Sequence, residues 1–315
     1  MLNVTNLKIS FADCAAEALR GIAFSVAQGE VVGIVGESGS GKSLTALAVG
    51  GLLPPEAFAS GQVIFQGRTL RPDRAEDWCR IRGREIGMVF QEPAACLNPL
   101  MTAGELVSET IRFHTEMTQR EAEAKTLTLF AALGIHPPRR RAAQFPHQLS
   151  GGLKQRVMLA AAICCDPPLL LADEPTTALD VTVQAQILRL LRSYVEITGA
   201  SLLLISHDLG VIAQLADRVL VMCEGLIVEE APARDLFVEP AHPYTQLLLA
   251  SVPRLEGPLR IPAMISPHAF TSAMCGFAER CALRGAACVR PPGRRTNKSG
   301  TRAVRCHYPR GEFND

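Results

Sequence analysis

Along the first two-thirds of the chain, apolar and polar positions fall into blocks that switch between strand and helix length. Residues 30–35 are a short, β-branched apolar run, the pattern of a strand buried on both faces. A glycine-rich turn follows, and residues 43–50 read as a helix. Residues 86–90, 169–172, 202–205 and 219–222 are further apolar runs of strand length. Between Pro93 and Pro168 the pattern lengthens into helical segments. In one of them, residues 118–133, Arg120, Glu121, Glu123 and Lys125 occupy a polar face. The alternation predicts an α/β core carrying a helical subdomain at about 92–165. Beyond Pro240 long apolar periodicity stops, and Pro, Gly, Arg and Cys become frequent. The expected division is therefore a main domain over 1–240 and a small Cys-containing extension over 241–315. Neither an internal repeat nor a long low-complexity tract is visible.

Composition narrows the class. Of the 315 residues, 48% are hydrophobic and 20% charged, the balance of a globular protein with a sizeable core. A formal net charge of +1 leaves no global field to select a nucleic acid or a membrane. The charge is uneven, though: from Ser251 onward ten Arg and one Lys face four acids, a net of +7. That basic tail suits either a solvated surface or contact with lipid headgroups or an acidic partner. Apolar runs such as 157–165 fall short of the ~18 residues of a spanning helix. The start Met1-Leu2-Asn3-Val4 is not a signal peptide, since no basic residue leads into an apolar stretch. A cytosolic setting is expected, where the ten cysteines stay thiols or metal ligands.

Candidate chemistry begins in the glycine-rich turn. Gly36-Glu37-Ser38-Gly39-Ser40-Gly41-Lys42-Ser43 satisfies G-x-x-x-x-G-K-[ST] in full. Glycines let successive backbone N–H groups turn inward around phosphate oxygens, and the following helix presents its positive end to the same anion. Lys42 supplies a point charge for the β- and γ-phosphates, and Ser43 a hydroxyl for Mg²⁺. A chance glycine-rich turn is disfavoured, because a strand precedes the motif and a helix follows. The second acidic element, Leu169-Leu170-Leu171-Ala172-Asp173-Glu174, is an apolar strand ending in two carboxylates. Asp173 is the expected metal partner, and Glu174 the group that polarises the attacking water. Gln91 and His207 each follow an apolar run, where a parallel sheet gathers its ligands.

A further motif, Leu149-Ser150-Gly151-Gly152-Leu153-Lys154-Gln155-Arg156, opens a helix and offers a second anion site. With it, the chain resembles the ABC ATPase family over about residues 2–240. The order is Walker A at 36–43, Gln91, the signature at 149–155, Walker B at 169–174, Ala178-Leu179-Asp180, then the switch His207. The resemblance implies a RecA-like P-loop nucleotide-binding domain that binds ATP and Mg²⁺, with Ser43, Gln91 and Asp173 toward the metal. It implies a head-to-tail pair of ATPase subunits, in which Ser150, Gly151, Gly152, Gln155 and Asp180 of one cover the nucleotide of the other. It also implies an aromatic stacked on adenine. Phe11 is the candidate, with a core strand position as its other reading.

Three segments are similar to the dipeptide, oligopeptide and nickel importers: 91–99, 173–184 and His242-Pro243-Tyr244-Thr245-Gln246-Leu247-Leu248. That resemblance implies two transmembrane permease subunits, an extracytoplasmic substrate-binding protein, no nucleic acid, and a peripheral place on the cytoplasmic face of the membrane. It points to di- or oligopeptides as cargo, with nickel or another small solute as the alternative. The tail carries a fourth similarity. Five residues separate Cys275 from Cys281, six separate Cys281 from Cys288, and seventeen separate Cys288 from Cys306. Some members of the group hold a [4Fe–4S] cluster on such a set, which soft thiolates and nearby arginines suit. Zinc and plain thiols stay open, and Ile261-Pro262-Ala263-Met264 lacks the glycine usual in the group. Cys14, Cys79, Cys96, Cys164, Cys165 and Cys223 lie in or beside apolar stretches, so a structural role is expected of them. A soluble ABC ATPase of DNA repair or translation is the rival class, disfavoured because the chain has one cassette and no sustained heptads.

Overall fold

In the computed structural model, which describes residues 1–12, 16–177, 179–251 and 275–314, the chain divides into two units. The first draws on Met1–Val26, Val31–Asp73 and Ser206–Asp315, the second on Ala27–Glu30 and Arg74–Ile205.

In the first unit, the strand Val31–Val35 is buried at every position, as its unbroken β-branched run requires. It pairs in parallel with Arg218–Cys223, with Val32 opposite Arg218 and Val35 opposite Val221. The latter strand turns back antiparallel into Leu226–Pro232 through Glu224 and Gly225, at φ 47° and 72°. The tail extends this sheet. Ala303–Val304 pairs with Leu226–Pro232, and Arg295–Thr296 pairs with Ala303–Val304. The helix Leu209–Leu215 lies on the Val31–Val35 strand so closely that a Cβ at Gly33 would stand 2.8 Å from Ile212 Cγ2.

A separate antiparallel sheet runs in the order Leu19–Val26, Leu2–Phe11, Ala57–Phe65, Arg68–Leu70. Register shifts in Leu2–Phe11 break its in–out alternation, with Asn6 at φ 47°. Opposite that bulge, a Cβ at Gly61 would collide with Asn6 O at 2.4 Å.

The second unit is built on the parallel strands Ile86–Val89, Leu169–Asp173 and Ser201–Ile205, with Leu169–Asp173 in the middle. Its helical stretch comprises Pro93–Cys96, Ala103–His114, Gln119–Ala132, Pro138–Ala142 and Gly151–Ile163, followed after the middle strand by Val181–Thr198. Two helices open with reciprocal capping. The Thr102 hydroxyl accepts the Glu105 N–H while Glu105 accepts the Thr102 N–H at 2.7 Å; Thr118 and Glu121 repeat the device. Ala103, Val107 and Ile111 form the buried stripe of Ala103–His114, and Trp78 is fully buried.

The predicted elements appear with small changes at their ends. The helix expected at 43–50 is Lys42–Val49, that at 118–133 is Gln119–Ala132 capped by Thr118, and the strand at 169–172 runs on to Asp173. Among the described residues, no helix is long and apolar enough to cross a membrane.

Candidate nucleotide-binding site

The phosphate loop and His207 belong to the first unit. Gln91, Asp173, Glu174, the 149–155 motif and Asp180 belong to the second.

In the first unit, the loop leaves the end of Val31–Val35 and runs into the helix Lys42–Val49. Two glycines make this path possible. Gly36 passes so near the neighbouring strand that a Cβ would lie 2.2 Å from Met222 O. Gly41, at φ 100°, is the residue that starts the helix, in a left-handed conformation natural to glycine. Glu37, Ser38 and Gly39 are exposed at the crest, while Ser40 is buried beneath them. The Lys42 side chain folds back under the loop and is only 6% exposed. Its ammonium donates to Gly36 O at 2.8 Å and Glu37 O at 2.7 Å, and reaches Ser40 Oγ at 3.5 Å. Carbonyl dipoles thus help to steady a desolvated cation, to which a phosphate would bring full negative charge. Ser43 is half-buried in the first helical turn. His207 is exposed just after Ser206, whose N–H donates to Ile34 O of the strand that feeds the loop. Phe11 is half-buried at the end of Leu2–Phe11, opposite Ala57.

In the second unit, Asp173 closes the buried middle strand and is 8% exposed. Glu174 follows at φ 47°, an unusual conformation for a non-glycine residue and one often found at functional positions. Its N–H donates to Ile205 O, and its carboxylate accepts from Thr177 Oγ1 at 2.7 Å and Gln91 Nε2 at 3.3 Å. Gln91 and Glu174, 83 residues apart in sequence, are therefore brought together. Ser150 caps the helix Gly151–Ile163 by accepting the Leu153 N–H, and Gln155 is buried within it. Asp180 caps Val181–Thr198 by accepting the Val183 N–H at 2.9 Å. The two helix starts touch: a Cβ at Gly152 would stand 2.9 Å from Val183 Cγ1. Ala178, between the acidic strand and Asp180, lies outside the described residues.

The tail cysteines also converge. Cys275, Cys281, Cys288 and Cys306 line one small cavity with His242, Phe277 and Tyr308. Burial pushes the Cys275 and Cys281 thiols up, and Cys306 up to about 11. Cys306 Sγ accepts the Tyr308 N–H at 3.4 Å. As donors, four thiols facing one cavity suit a soft metal. Among the described residues, however, no three or more His, Cys, Asp or Glu side chains are grouped so as to hold a metal ion. Residues 261–264 lie outside the described residues. Of the remaining cysteines, Cys164 and Cys223 are buried as expected of structural thiols. Cys79 and Cys96 are exposed instead, because each sits near the end of a very short helix. Cys14 lies outside the described residues.

Two contacts at the site went unread in the sequence. Arg280, in the short turn Ala278–Arg280 of the tail, forms a two-pronged ion pair with Glu37 at 2.9 and 2.6 Å. Tyr244 Oη accepts the Glu37 N–H at 2.8 Å. The pattern G-x-x-x-x-G-K-[ST] leaves the Glu37 position unspecified, so nothing local pointed to either partner.

A parallel strand, a glycine-lined loop and a helix that buries a lysine beneath the loop define a P-loop α/β protein. Comparison with known proteins narrows this class. Residues 19–177 match the ABC transporter family, and residues 228–288 match the oligopeptide/dipeptide transporter C-terminal region. The oligopeptide transport ATP-binding protein AppD of Bacillus subtilis (strain 168) is 42% identical over 315 residues, covering 97% of this chain and 96% of that protein. The dipeptide transport ATP-binding protein DppD of the same organism is 42% identical over 314 residues, covering 97% and 94%. Among solved structures, the dimeric ATP-binding cassette MJ0796, in a post-hydrolysis state bound to ADP and Pi, gives a TM-score of 0.67 at 31% identity. That match covers 74% of this chain and 99% of the other. The chain belongs to the ABC transporter family.

Proposed function

We propose that this chain is the ATP-hydrolysing subunit of an ABC importer for di- or oligopeptides, driving transport through separate permease subunits. The observation that carries the reading is Lys42. Its ammonium is buried beneath a glycine-lined loop and donates to the loop's own oxygens, Gly36 O and Glu37 O. A triphosphate is the ligand that such a cation and loop fit. The relatives reported above are named for oligopeptide and dipeptide transport, and the tail matches the corresponding C-terminal region.

The residues divide the work as follows. Gly36, Glu37, Ser38, Gly39, Ser40 and Gly41 wrap the phosphates with backbone N–H groups, and Lys42 meets the β- and γ-oxygens. Ser43, Asp173 and Gln91 hold Mg²⁺, which when bound offsets the charge of the phosphates. Glu174 orients and polarises the attacking water, and Gln91, already in contact with it, brings the metal side and the base side into register. His207 reads the γ-phosphate. Ser150, Gly151, Gly152, Gln155 and Asp180 cover the nucleotide of a second ATPase subunit, and Phe11 stacks on adenine.

The implied partners are that second ATPase subunit, two transmembrane permeases and an extracytoplasmic substrate-binding protein. With them the chain sits peripherally on the cytoplasmic face of the membrane. Cys275, Cys281, Cys288 and Cys306 draw in to hold a metal centre, [4Fe–4S] before zinc, that staples a segment poor in apolar residues.

The reading is tested in vesicles carrying the permeases. Wild type should couple MgATP hydrolysis to peptide uptake, and Lys42→Ala should reduce both to background. A near-normal ATPase rate in Lys42→Ala would refute the site assignment, and nickel-driven turnover without a peptide response would change the cargo. Iron, sulfide and zinc are measured on anaerobically purified chain. Protein with neither metal and an ordered tail would end the metal-centre reading.

A further inference from the structure

Glu37 has three polar handles, and each is engaged by a different part of the first unit. Its N–H donates to Tyr244 Oη at 2.8 Å. Its carbonyl accepts from Lys42 Nζ at 2.7 Å. Its carboxylate accepts from both Nη1 and Nη2 of Arg280, at 2.9 and 2.6 Å. A single residue of the phosphate loop is therefore fixed in rotation, in translation and in side-chain direction, and two of the three fasteners come from more than 200 residues downstream.

The downstream partners are themselves braced. The Arg280 guanidinium lies over the rings of Phe277 and Tyr244, with its carbon 5.2 and 5.8 Å from the ring centroids. Those rings pack tilted, 5.3 Å apart. Tyr244 is fully buried, so its hydroxyl has a fixed position from which to accept the Glu37 N–H. Arg280 ends a short turn, in which its own N–H donates to Phe277 O and the next N–H, of Cys281, donates to Ala278 O.

Magnitude decides what this arrangement is for. The pair is 30% and 43% exposed, so screening leaves its contribution to stability small. Geometry is what a planar fork on a carboxylate supplies: two parallel bonds fix orientation in a way that one ammonium contact does not. The atom that benefits is the Glu37 carbonyl, because it is a seat of the Lys42 ammonium.

We infer that Arg280 and Tyr244 are positioning residues for the phosphate loop: they hold Glu37, and through its carbonyl they set where Lys42 waits for the nucleotide. The inference rests on the ATP reading of the loop. Binding energy that would otherwise go into ordering the loop is then expressed as affinity for MgATP, while the chemical step keeps its own groups.

The test uses the full chain assembled with its partner subunits, and measures KM and kcat for MgATP together with thermal midpoint. Arg280→Ala should raise KM about threefold to tenfold, with kcat within about twofold and the midpoint nearly unchanged. Arg280→Lys should recover only part of the loss, since an ammonium cannot make the two-pronged pair. Tyr244→Phe removes only the hydroxyl that accepts the Glu37 N–H, and should raise KM in the same direction. In a Glu37→Gln background, Arg280→Ala should add little further, because the partner is already weakened. Unchanged KM in both Arg280→Ala and Tyr244→Phe overturns the inference, as does full additivity with Glu37→Gln. A wild-type assembly that neither binds nor hydrolyses ATP would overturn the nucleotide reading, and the inference with it. An active wild type beside unaffected Arg280→Ala and Tyr244→Phe would overturn the inference and leave the nucleotide reading standing.

Discussion

Glu174 occupies a left-handed backbone conformation with its carboxylate held by Thr177 and Gln91. That arrangement keeps the carboxylate proposed as the base in one orientation, at the cost of local strain. Glu174→Gln preserves shape and removes charge, so nucleotide binding should persist while turnover drops by ~10²-fold or more. Single-turnover assays on the assembled transporter check this, and a rate within a few-fold of wild type would assign the base elsewhere. His242 makes a second prediction. The ring is buried, its Nδ1 accepts the Tyr244 N–H, and burial lowers its pKa from 6.5 to about 4. Between those values the unfolded chain takes a proton that the folded chain refuses. Stability from this group is therefore complete above pH 6.5 and is lost as pH falls toward 4, by up to about 3 kcal/mol. Glu229, whose carboxyl accepts the His242 N–H at 2.8 Å, is shifted upward by burial and works in the opposite sense. The comparison is therefore with His242→Asn, which keeps an acceptor for Tyr244. Urea unfolding at stepped pH should show the wild type losing more stability on acidification than the variant. Residues of the phosphate loop were legible because their types and spacing are local demands of phosphate chemistry. The partners of Glu37 and the Gly152–Val183 contact were not, because only tertiary folding brings them together.

At the scale of elements, the strands that feed the site were readable as unbroken apolar runs, since burial on both faces leaves no alternation to interpret. The antiparallel sheet was harder. Its strand Leu2–Phe11 buries Leu2 and Val4, then Leu7 and Ile9, because the bulge near Asn6 shifts the phase halfway along. The strands Ala303–Val304 and Arg295–Thr296 are two residues each, too short for any periodicity. Helix starts, by contrast, were written in the sequence, because a cap is a local exchange of hydrogen bonds. Thr118 both accepts the Glu121 N–H and donates its hydroxyl to the Glu121 carboxylate at 2.7 Å. Thr118→Ala should cost about 1 kcal/mol of stability. Denaturant unfolding followed through the emission of Trp78, the only tryptophan, reads this directly in the unit that contains both. A change below about 0.3 kcal/mol would mean that water replaces the cap without loss.

For the whole molecule, the order of motifs along the chain was enough to point to the family, because each motif answers one chemical demand of nucleotide hydrolysis. Partition into units was less legible, since the chain crosses between them more than once: residues 27–30 belong with 74–205, not with their neighbours. One contact within the first unit bears on how the protein is made. Arg280 follows Glu37 by 243 residues. A ribosome working at 5–20 residues per second therefore releases the phosphate loop roughly 10–50 s before the arginine that clamps it. Through that interval the loop exists without its fastening, and long-range contacts of this kind are slow to form. Firm hold on ATP then waits on Arg280: the later-made residue steadies the earlier-made loop, and a polypeptide cut short before Arg280 emerges stays a poor competitor for nucleotide.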